Sequence, residues 1–186
     1  MTTYSSTIDT PVGPFTIIGD EDGAVLASGW TGDAAVLVPL IHPDLRETPD
    51  LRETPDLRGT PDLREMPVPR RDLGAATRAA KLYHAGELTA PDTVAVRQRA
   101  GGVFLTAAWK TLREVPAGEP VSYTELATRT GNPAANRAAA QACARNAAAL
   151  FVPCHRVIRT DGTLGGFRWG LPVKRWLLDH EATGPR

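Results

Sequence analysis

The chain has 186 residues, of which 42% are hydrophobic and 23% charged, a globular composition long enough to bury a core without disulfide or metal staples. Lys plus Arg and Asp plus Glu are both 21, so the formal charge is zero, which read whole argues against a strongly basic nucleic-acid binder. No apolar run reaches membrane-spanning length, and the N-terminus lacks a signal-peptide pattern, so a membrane span is excluded and a reduced, cytoplasmic setting is expected for the two cysteines, Cys143 and Cys154. The zero hides a division. Residues 1–96 hold 8 basic and 15 acidic residues, a net −7, whereas residues 97–186 carry +7. A basic half points to an anionic partner.

In chain order, Thr7 to Asp9, Phe15 to Ile18 and Ala24 to Gly29 read as short strands of an antiparallel meander. Pro11-Val12-Gly13-Pro14 and Asp20-Glu21-Asp22-Gly23 supply its turns. Val36 to Ile41 is a further short element. Pro43-Asp44-Leu45-Arg46-Glu47-Thr48 then opens a six-residue repeat, with near-copies beginning at Pro49, Pro55 and Pro61. A proline in every copy removes backbone donors, so residues 43–66 are expected to form an extended loop rather than a β-helix. Near-identity of the copies suggests duplication more than selected function.

Leu73 to Gly86 has helical spacing, with Leu73, Ala76, Ala80 and Tyr83 on one face. A second helix from about Arg99 to Val115 places Phe104, Ala108, Leu112 and Val115 together. The reading is α+β: a small N-terminal antiparallel-sheet domain, 1–92, and a mostly helical domain, 93–186. Ser122-Tyr123-Thr124-Glu125 is a capping box that opens a short helix ended by Gly131. Asn132 and Pro133 can start another helix from Ala134 to about Arg145, a helix-turn-helix pattern. That second helix is nearly all alanine, with Arg137 in its first turn. Small residues permit close approach to another surface, but on pattern alone a tightly packed core helix is the commoner reading.

Leu150-Phe151-Val152-Pro153-Cys154-His155-Arg156-Val157-Ile158 is an apolar run that delivers adjacent Cys and His. A thiolate is the nucleophile, and a free thiol needs an imidazole or positive charge to form one near neutrality. His155 and Arg156 are local candidates for that help. An inert buried cysteine is the alternative, and Cys143 on the alanine-rich helix reads that way. His42, His84, His155 and His180 show no metal-ligand spacing with the cysteines, so neither a metal nor a cofactor is expected.

Pro153-Cys154-His155-Arg156-Val157 resembles the active-site signature of the O6-alkylguanine-DNA alkyltransferases, also called methylated-DNA–protein-cysteine S-methyltransferases. Val121-Ser122-Tyr123, Arg137 and Asn146 fall at the family's offsets before the cysteine. Gly165-Gly166-Phe167-Arg168-Trp169-Gly170, Lys174 and Trp176 to Glu181 match its C-terminal stretch. The form Arg168-Trp169-Gly170 and the Ala-Cys-Ala around Cys143 are most like the alkyltransferase half of the bacterial adaptive-response protein. The likeness is strong over 97–181, patchy over 1–41 and absent from the repeat.

The resemblance implies a DNA-repair protein that moves the alkyl group of O6-alkylguanine, and of O4-alkylthymine, irreversibly onto its own cysteine. It implies a ribonuclease H-like N-terminal domain and a winged-helix-like C-terminal one. Cys154 is then the nucleophile, His155 its base through a water, and Glu181 the orienting carboxylate. Asn146 holds the turn, and Tyr123 assists departure of the guanine. Arg137 fills the stack vacated by a flipped base. Ser122, Ala135, Asn136, Ala138 and Ala140 line the DNA surface, and Val157, Phe167, Arg168 and Lys174 line the base pocket. The partner is alkylated duplex DNA, bound by a monomer, with cooperativity left open. Asn136, Ala147 and Phe167 stand where the family usually has Ala, Pro and Tyr, and none of these removes a catalytic group.

Three other functions compete. A sensor of alkylated bases without repair activity would replace the nucleophile, which Cys154 retains. A transcription factor would need larger side chains on the second helix to read a major groove. A thiol hydrolase would need an oxyanion hole, and no Gly-rich turn adjoins Cys154.

Overall fold

The computed structural model describes residues 2–46, 66–99 and 101–183. Strands β1 (Thr3–Thr10), β2 (Gly13–Asp20) and β3 (Val25–Gly29) form the expected antiparallel meander. Each is set by the turn chemistry of the sequence: Gly13 and Gly23 sit at positive φ, where a side chain would be strained. The sheet is not purely antiparallel. After a helical turn, α1 (Pro43–Arg46), the two-residue strand β4 (Val68–Pro69) joins parallel to β1, giving the order β3-β2-β1-β4. A two-residue strand that includes a proline has no periodicity to announce it, and β1 lends it an edge that needs few donors.

Two other expectations change. Val36 to Ile41 resolves into 3-10 turns at Ala34–Val36 and Val38–Leu40. The first repeat copy begins as helix, because His42 precedes a Pro at the first helical position and its carbonyl accepts from Leu45 N–H at 2.8 Å. The remaining copies, over 47–65, lie outside the described residues.

Helices α2 (Ala75–His84) and α3 (Val103–Arg113) occupy the expected segments. α2 buries Ala76, Ala79, Ala80 and Tyr83, and α3 buries Ala108, Trp109 and Leu112. Strand β5 (Val121–Ser122) leads into α4 (Tyr123–Arg129), whose start is fixed by Ser122 Oγ accepting from Glu125 N–H at 3.0 Å. The Glu125 carboxylate pairs with Arg129 one turn on. The next helix, α5 (Asn136–Ala144), begins two residues later than its sequence suggests. Asn132 Oδ1 accepts from Ala134 N–H at 3.2 Å, closing a turn instead of capping the helix.

Strand β6 (Val157–Ile158) pairs parallel with β5, and α6 (Leu171–Thr183) ends the described chain. One buried cluster runs from Ile8, Phe15 and Ile17 of the sheet to Leu112, Leu126, Phe151 and Leu177. The inward face of α6 is unusual. It buries Lys174 and Glu181 on either side of Leu177, and polar groups at such positions must be paired. No helix of the described residues is long and apolar enough to cross a membrane.

Candidate active site

The edge of β3 holds the segment that leads to Cys154. Ser28 N–H donates to Ala147 O at 2.8 Å, Ser28 Oγ donates to Ala149 O at 2.7 Å, and Ala149 N–H donates to Ser28 O at 3.2 Å. Leu150, next along, is fully packed and sits at φ 75°, a left-handed conformation that is costly for a leucine. Burial of its side chain and the Ser28 bonds hold it there. The chain then passes Pro153 into a 3-10 turn, Cys154–Arg156, and on into β6.

Asn146 braces this turn from within. Its Oδ1 accepts from Ala148 N–H at 3.1 Å, while Nδ2 donates to Val152 O at 2.7 Å and lies 3.2 Å from Cys154 Sγ. Burial pushes the Cys154 thiol up from its ordinary value, and the Asn146 amide and the Lys174 charge pull it part of the way back. The resting cysteine is therefore a thiol that needs a base.

The candidate base is the next residue in the chain. His155 is fully buried, with Nε2 2.8 Å from Glu181 Oε1. Its Nδ1 is buried without a hydrogen-bond partner. Burial lowers the imidazole pKa, and the Glu181 carboxylate offsets only part of that, so the ring is neutral near neutral pH. An ionised Glu181 accepts, so the ring proton sits on Nε2 and Nδ1 keeps a free lone pair.

Glu181 itself is heavily committed. Arg156 Nε donates to both carboxylate oxygens at 3.1 and 3.0 Å, and its terminal nitrogen reaches Oε1 at 3.0 Å. Tyr83 Oη–H donates to Oε1 at 2.8 Å, and Gly118 N–H donates to Oε2 at 3.2 Å. Burial alone would raise the carboxyl, but its bonds to His155 and Arg156 outweigh it and hold it well below the usual carboxylate range. With His155 neutral, Arg156 supplies the charge that keeps Glu181 ionised.

The opposite side carries the pocket candidates. The β5–β6 pair brings Tyr123, first residue of α4, near the thiol. Its hydroxyl is pushed up to about 12 by burial and by the Cys143 and Cys154 sulfurs, so it is a proton donor. Gly165, at φ +66°, lies under that hydroxyl, where a Cβ would fall 2.9 Å from it. Lys174 Nζ donates to Val157 O at 2.6 Å and Leu164 O at 2.5 Å, tying β6 to the following loop. Val157 N–H is spent on Cys154 O, and its carbonyl accepts from Lys174. Arg168 caps α5 by donating to Ala144 O at 2.6 Å, and Phe167 packs near Trp30, with ring centroids 6.0 Å apart.

On α5, Asn136, Arg137 and Ala140 are exposed, Ala135 and Ala138 are half-buried, and Ala139 and Ala142 face the core. The helix is thus both core-packed on one side and open on the other. Ser122 spends its hydroxyl on the α4 cap.

The structure gathers Cys154, His155, Glu181, Asn146, Tyr123 and Lys174 as a group. It moves Arg156 away from the expected role, because the guanidinium clamps Glu181 and not the thiol. Sequence reasoning missed Tyr83 and Gly118 as partners of Glu181. Tyr83 read as a core position by its spacing, and only its polar tip hinted at more. Among the described residues, no three His, Cys, Asp or Glu side chains could hold a metal ion.

Known proteins resemble this chain in sequence and fold. The family model for the DNA-binding domain of 6-O-methylguanine DNA methyltransferase matches residues 103–183. The methylated-DNA–protein-cysteine methyltransferase of Methanosarcina acetivorans is 33% identical over 180 residues, 97% of this chain and 99% of that protein. The bifunctional transcriptional activator/DNA repair enzyme Ada of Escherichia coli is 52% identical over 82 residues, which is 44% of this chain but only 23% of Ada. Among solved structures, Mycobacterium tuberculosis O6-methylguanine methyltransferase superposes with a TM-score of 0.74 at 31% identity, covering 100% of this chain and 96% of that one. A crystal structure of the Mycobacterium tuberculosis protein in complex with DNA matches with a TM-score of 0.68 at 30% identity, over 96% of this chain and 92% of that one. With relatives matched end to end, this chain belongs to the methylated-DNA–protein-cysteine methyltransferase family.

Proposed function

We propose that the protein repairs duplex DNA by taking the alkyl group of O6-alkylguanine, and of O4-alkylthymine, onto Cys154 once and irreversibly. The observation that carries this reading is the buried Cys154 thiol, held by Asn146 next to a histidine whose Nε2 is fixed on Glu181 and whose Nδ1 is free. The thiol proton passes through a water to His155 Nδ1. The thiolate attacks the alkyl carbon in line, the carbon–O6 bond breaks, and its electron pair stays with the base. Tyr123 gives a hydrogen bond or proton to the guanine ring, so the leaving group is not a bare anion. The stable thioether ends the reaction, because nothing regenerates the thiol.

The base has to leave the stack to reach a buried sulfur, at a cost of a few kcal/mol that is smaller for a damaged base. Helices α4 and α5 are read as a helix-turn-helix in a winged-helix-like unit, 93–186, behind a ribonuclease H-like unit, 1–92. The open side of α5 enters the minor groove, with Ala135, Ala138 and Ala140 allowing close approach and Asn136 and Ser122 near phosphates. Arg137 fills the vacated place. Val157, Phe167 and Arg168 bound the base, and Lys174 secures that wall. The protein acts as a monomer in the cytoplasm, and the +7 half meets the DNA.

Incubation with a duplex carrying O6-methylguanine, followed by mass measurement, tests this. One methyl per molecule on Cys154, and none on Cys154→Ala, is expected. Turnover, or an unmodified Cys154, would refute it.

A further inference from the structure

The catalytic carboxylate is completed from outside the segment that carries the rest of the chemistry. Cys154, His155, Arg156 and Glu181 all lie within 103–183, the stretch matched by the DNA-binding family model. Tyr83 lies on α2, ahead of it, yet its hydroxyl donates to Glu181 Oε1 at 2.8 Å, the same oxygen that faces His155 Nε2 at 2.8 Å. Tyr83 is wholly buried, so no water competes for that bond. Its ring meets His84 and His180 edge-on, with centroids 5.3 and 5.4 Å away. His180 of α6 also bonds Tyr83 O at 2.8 Å, and Trp176 stacks between the His84 and His180 rings with centroids 5.7 and 4.6 Å apart.

We propose that Tyr83 is a positioning residue for proton transfer: by sharing Glu181 Oε1 with His155, the N-terminal half sets how strongly that carboxylate holds the imidazole, and so when His155 can act as a base. The proposal rests on the alkyl-transfer reading above. A carboxylate oxygen offers less charge to each donor as donors are added, and the phenol joins His155 and Arg156 on Oε1. Without the Tyr83 hydroxyl, Oε1 attracts the His155 side more strongly, which favours imidazolium. Imidazolium cannot accept the Cys154 proton. The wild-type arrangement thus keeps His155 ready at lower pH than it would be without the phenol, with Arg156 on the carboxylate in either case. The other ionisable groups around the pair stay in place: Arg156 on both oxygens, Asp92 within range of Arg156 and Glu181, and Lys174 within range of His155. Burial and the Glu181 charge keep the Tyr83 phenol protonated, so it is a donor at every pH of interest.

The test compares wild type, Tyr83→Phe and Trp176→Phe in the full chain. Trp176→Phe loosens the same α2–α6 contact but keeps the phenol. The rate of Cys154 modification is followed against pH with two reagents, the O6-methylguanine duplex and iodoacetamide, reading Cys154 by peptide mass. Removing one charge-assisted hydrogen bond should move the acid limb of Tyr83→Phe upward by about one pH unit with both reagents. Trp176→Phe should keep the wild-type limb. An unmoved limb in Tyr83→Phe, or an equal shift in Trp176→Phe, overturns the proposal. If wild type takes no methyl from the duplex while the iodoacetamide limb still moves in Tyr83→Phe alone, alkyl transfer fails and the role of Tyr83 stands.

Discussion

Gly29 lies directly beneath the indole of Trp169. A Cβ built on Gly29 would fall 1.9 Å from one ring atom and 2.3 Å from another, closer than packed carbons can approach. The last residue of β3 is therefore glycine so that the loop carrying Trp169 can close onto the sheet. Gly29→Ala should force the indole out and cost about 1–3 kcal/mol of stability, the usual range for overpacking. Urea denaturation checks the stability. The rate of Cys154 methylation should fall with it, since Phe167 and Arg168 share the displaced loop. An unchanged midpoint would show that the loop docks elsewhere.

Asn146 does three things with one amide, and Asn146→Ala removes them together. Val152 O and Ala148 N–H would be left buried with a partner missing. At about 1–3 kcal/mol for each unsatisfied group, the variant should be markedly less stable. It also loses the only donor seen at Cys154 Sγ among the described side chains, so the thiol pKa should rise further. Iodoacetamide reaction at Cys154, measured against pH on the folded fraction, should show its alkaline limb displaced upward.

Much of this site was legible because its residues are close in sequence or sit in a specific signature. Cys154, His155 and Asn146 are such residues, and the β-meander was visible from its turn residues. What was hidden is long-range. Tyr83 reaches Glu181 across 98 positions, and an amphipathic helix shows which face is buried, not which polar tip meets which carboxylate. Arg156 shows the limit of adjacency: it was one of two local candidates to help the thiol, but a 3-10 turn points successive side chains in different directions, and its guanidinium goes to Glu181. Strand β4 and the late start of α5 were set by tertiary pairing and by an Asn turn that mimics a cap. The repeat gave a clear sequence pattern with no function attached to it.

The pH dependence of stability follows from the two buried partners. His155 has a folded pKa below its ordinary 6.5, and Glu181 one well below its ordinary 4.5. In both cases the unfolded chain binds the proton first, so stability is complete above the unfolded value and falls as pH drops below it. Loss should begin near pH 6.5 from His155 and steepen below about pH 4.5 from Glu181. Glu181→Gln should flatten the lower part of this curve. At pH 7.5 it should already cost about 3–5 kcal/mol, because Arg156 is left buried without its countercharge. Thermal or urea denaturation at several pH values tests both statements. A wild-type stability that rises between pH 6 and 4 would contradict the assignment of a neutral buried His155.

Tyr123→Phe tests the proposed leaving-group step. The hydroxyl, pushed up to about 12, is a donor over the whole working range, and phenylalanine keeps the ring against Gly165. Methyl transfer from the duplex should slow on the order of a hundred-fold, the lower end for a positioned general acid. Iodoacetamide, whose iodide leaves without a proton, should react with Cys154 at close to the wild-type rate. Equal slowing with both reagents would place Tyr123 in activation of the thiol instead.

Arg137 is exposed on α5, in line with Asn136 and Ala140 and away from the buried Ala139 and Ala142. A cation there can do one of two things on DNA. If it only pairs with phosphate, Arg137→Ala should weaken binding to any duplex and lessen the salt dependence by about one counterion. If it fills the place of an extruded base, the loss should depend on whether extrusion is needed. The informative measurement is therefore a pair of rates for Arg137→Ala, one with O6-methylguanine in a duplex and one with a free O6-alkylguanine base. Loss of the stack filler should slow the duplex reaction on the order of ten-fold or more, because the few kcal/mol of unstacking are no longer offset, and leave the free-base rate almost unchanged. Placing the lesion opposite a mismatch, where unstacking is cheaper, should restore part of the duplex rate. Equal losses on duplex and free base would mean that Arg137 does not act in extrusion, and a duplex loss that vanishes at saturating DNA would assign it to phosphate alone.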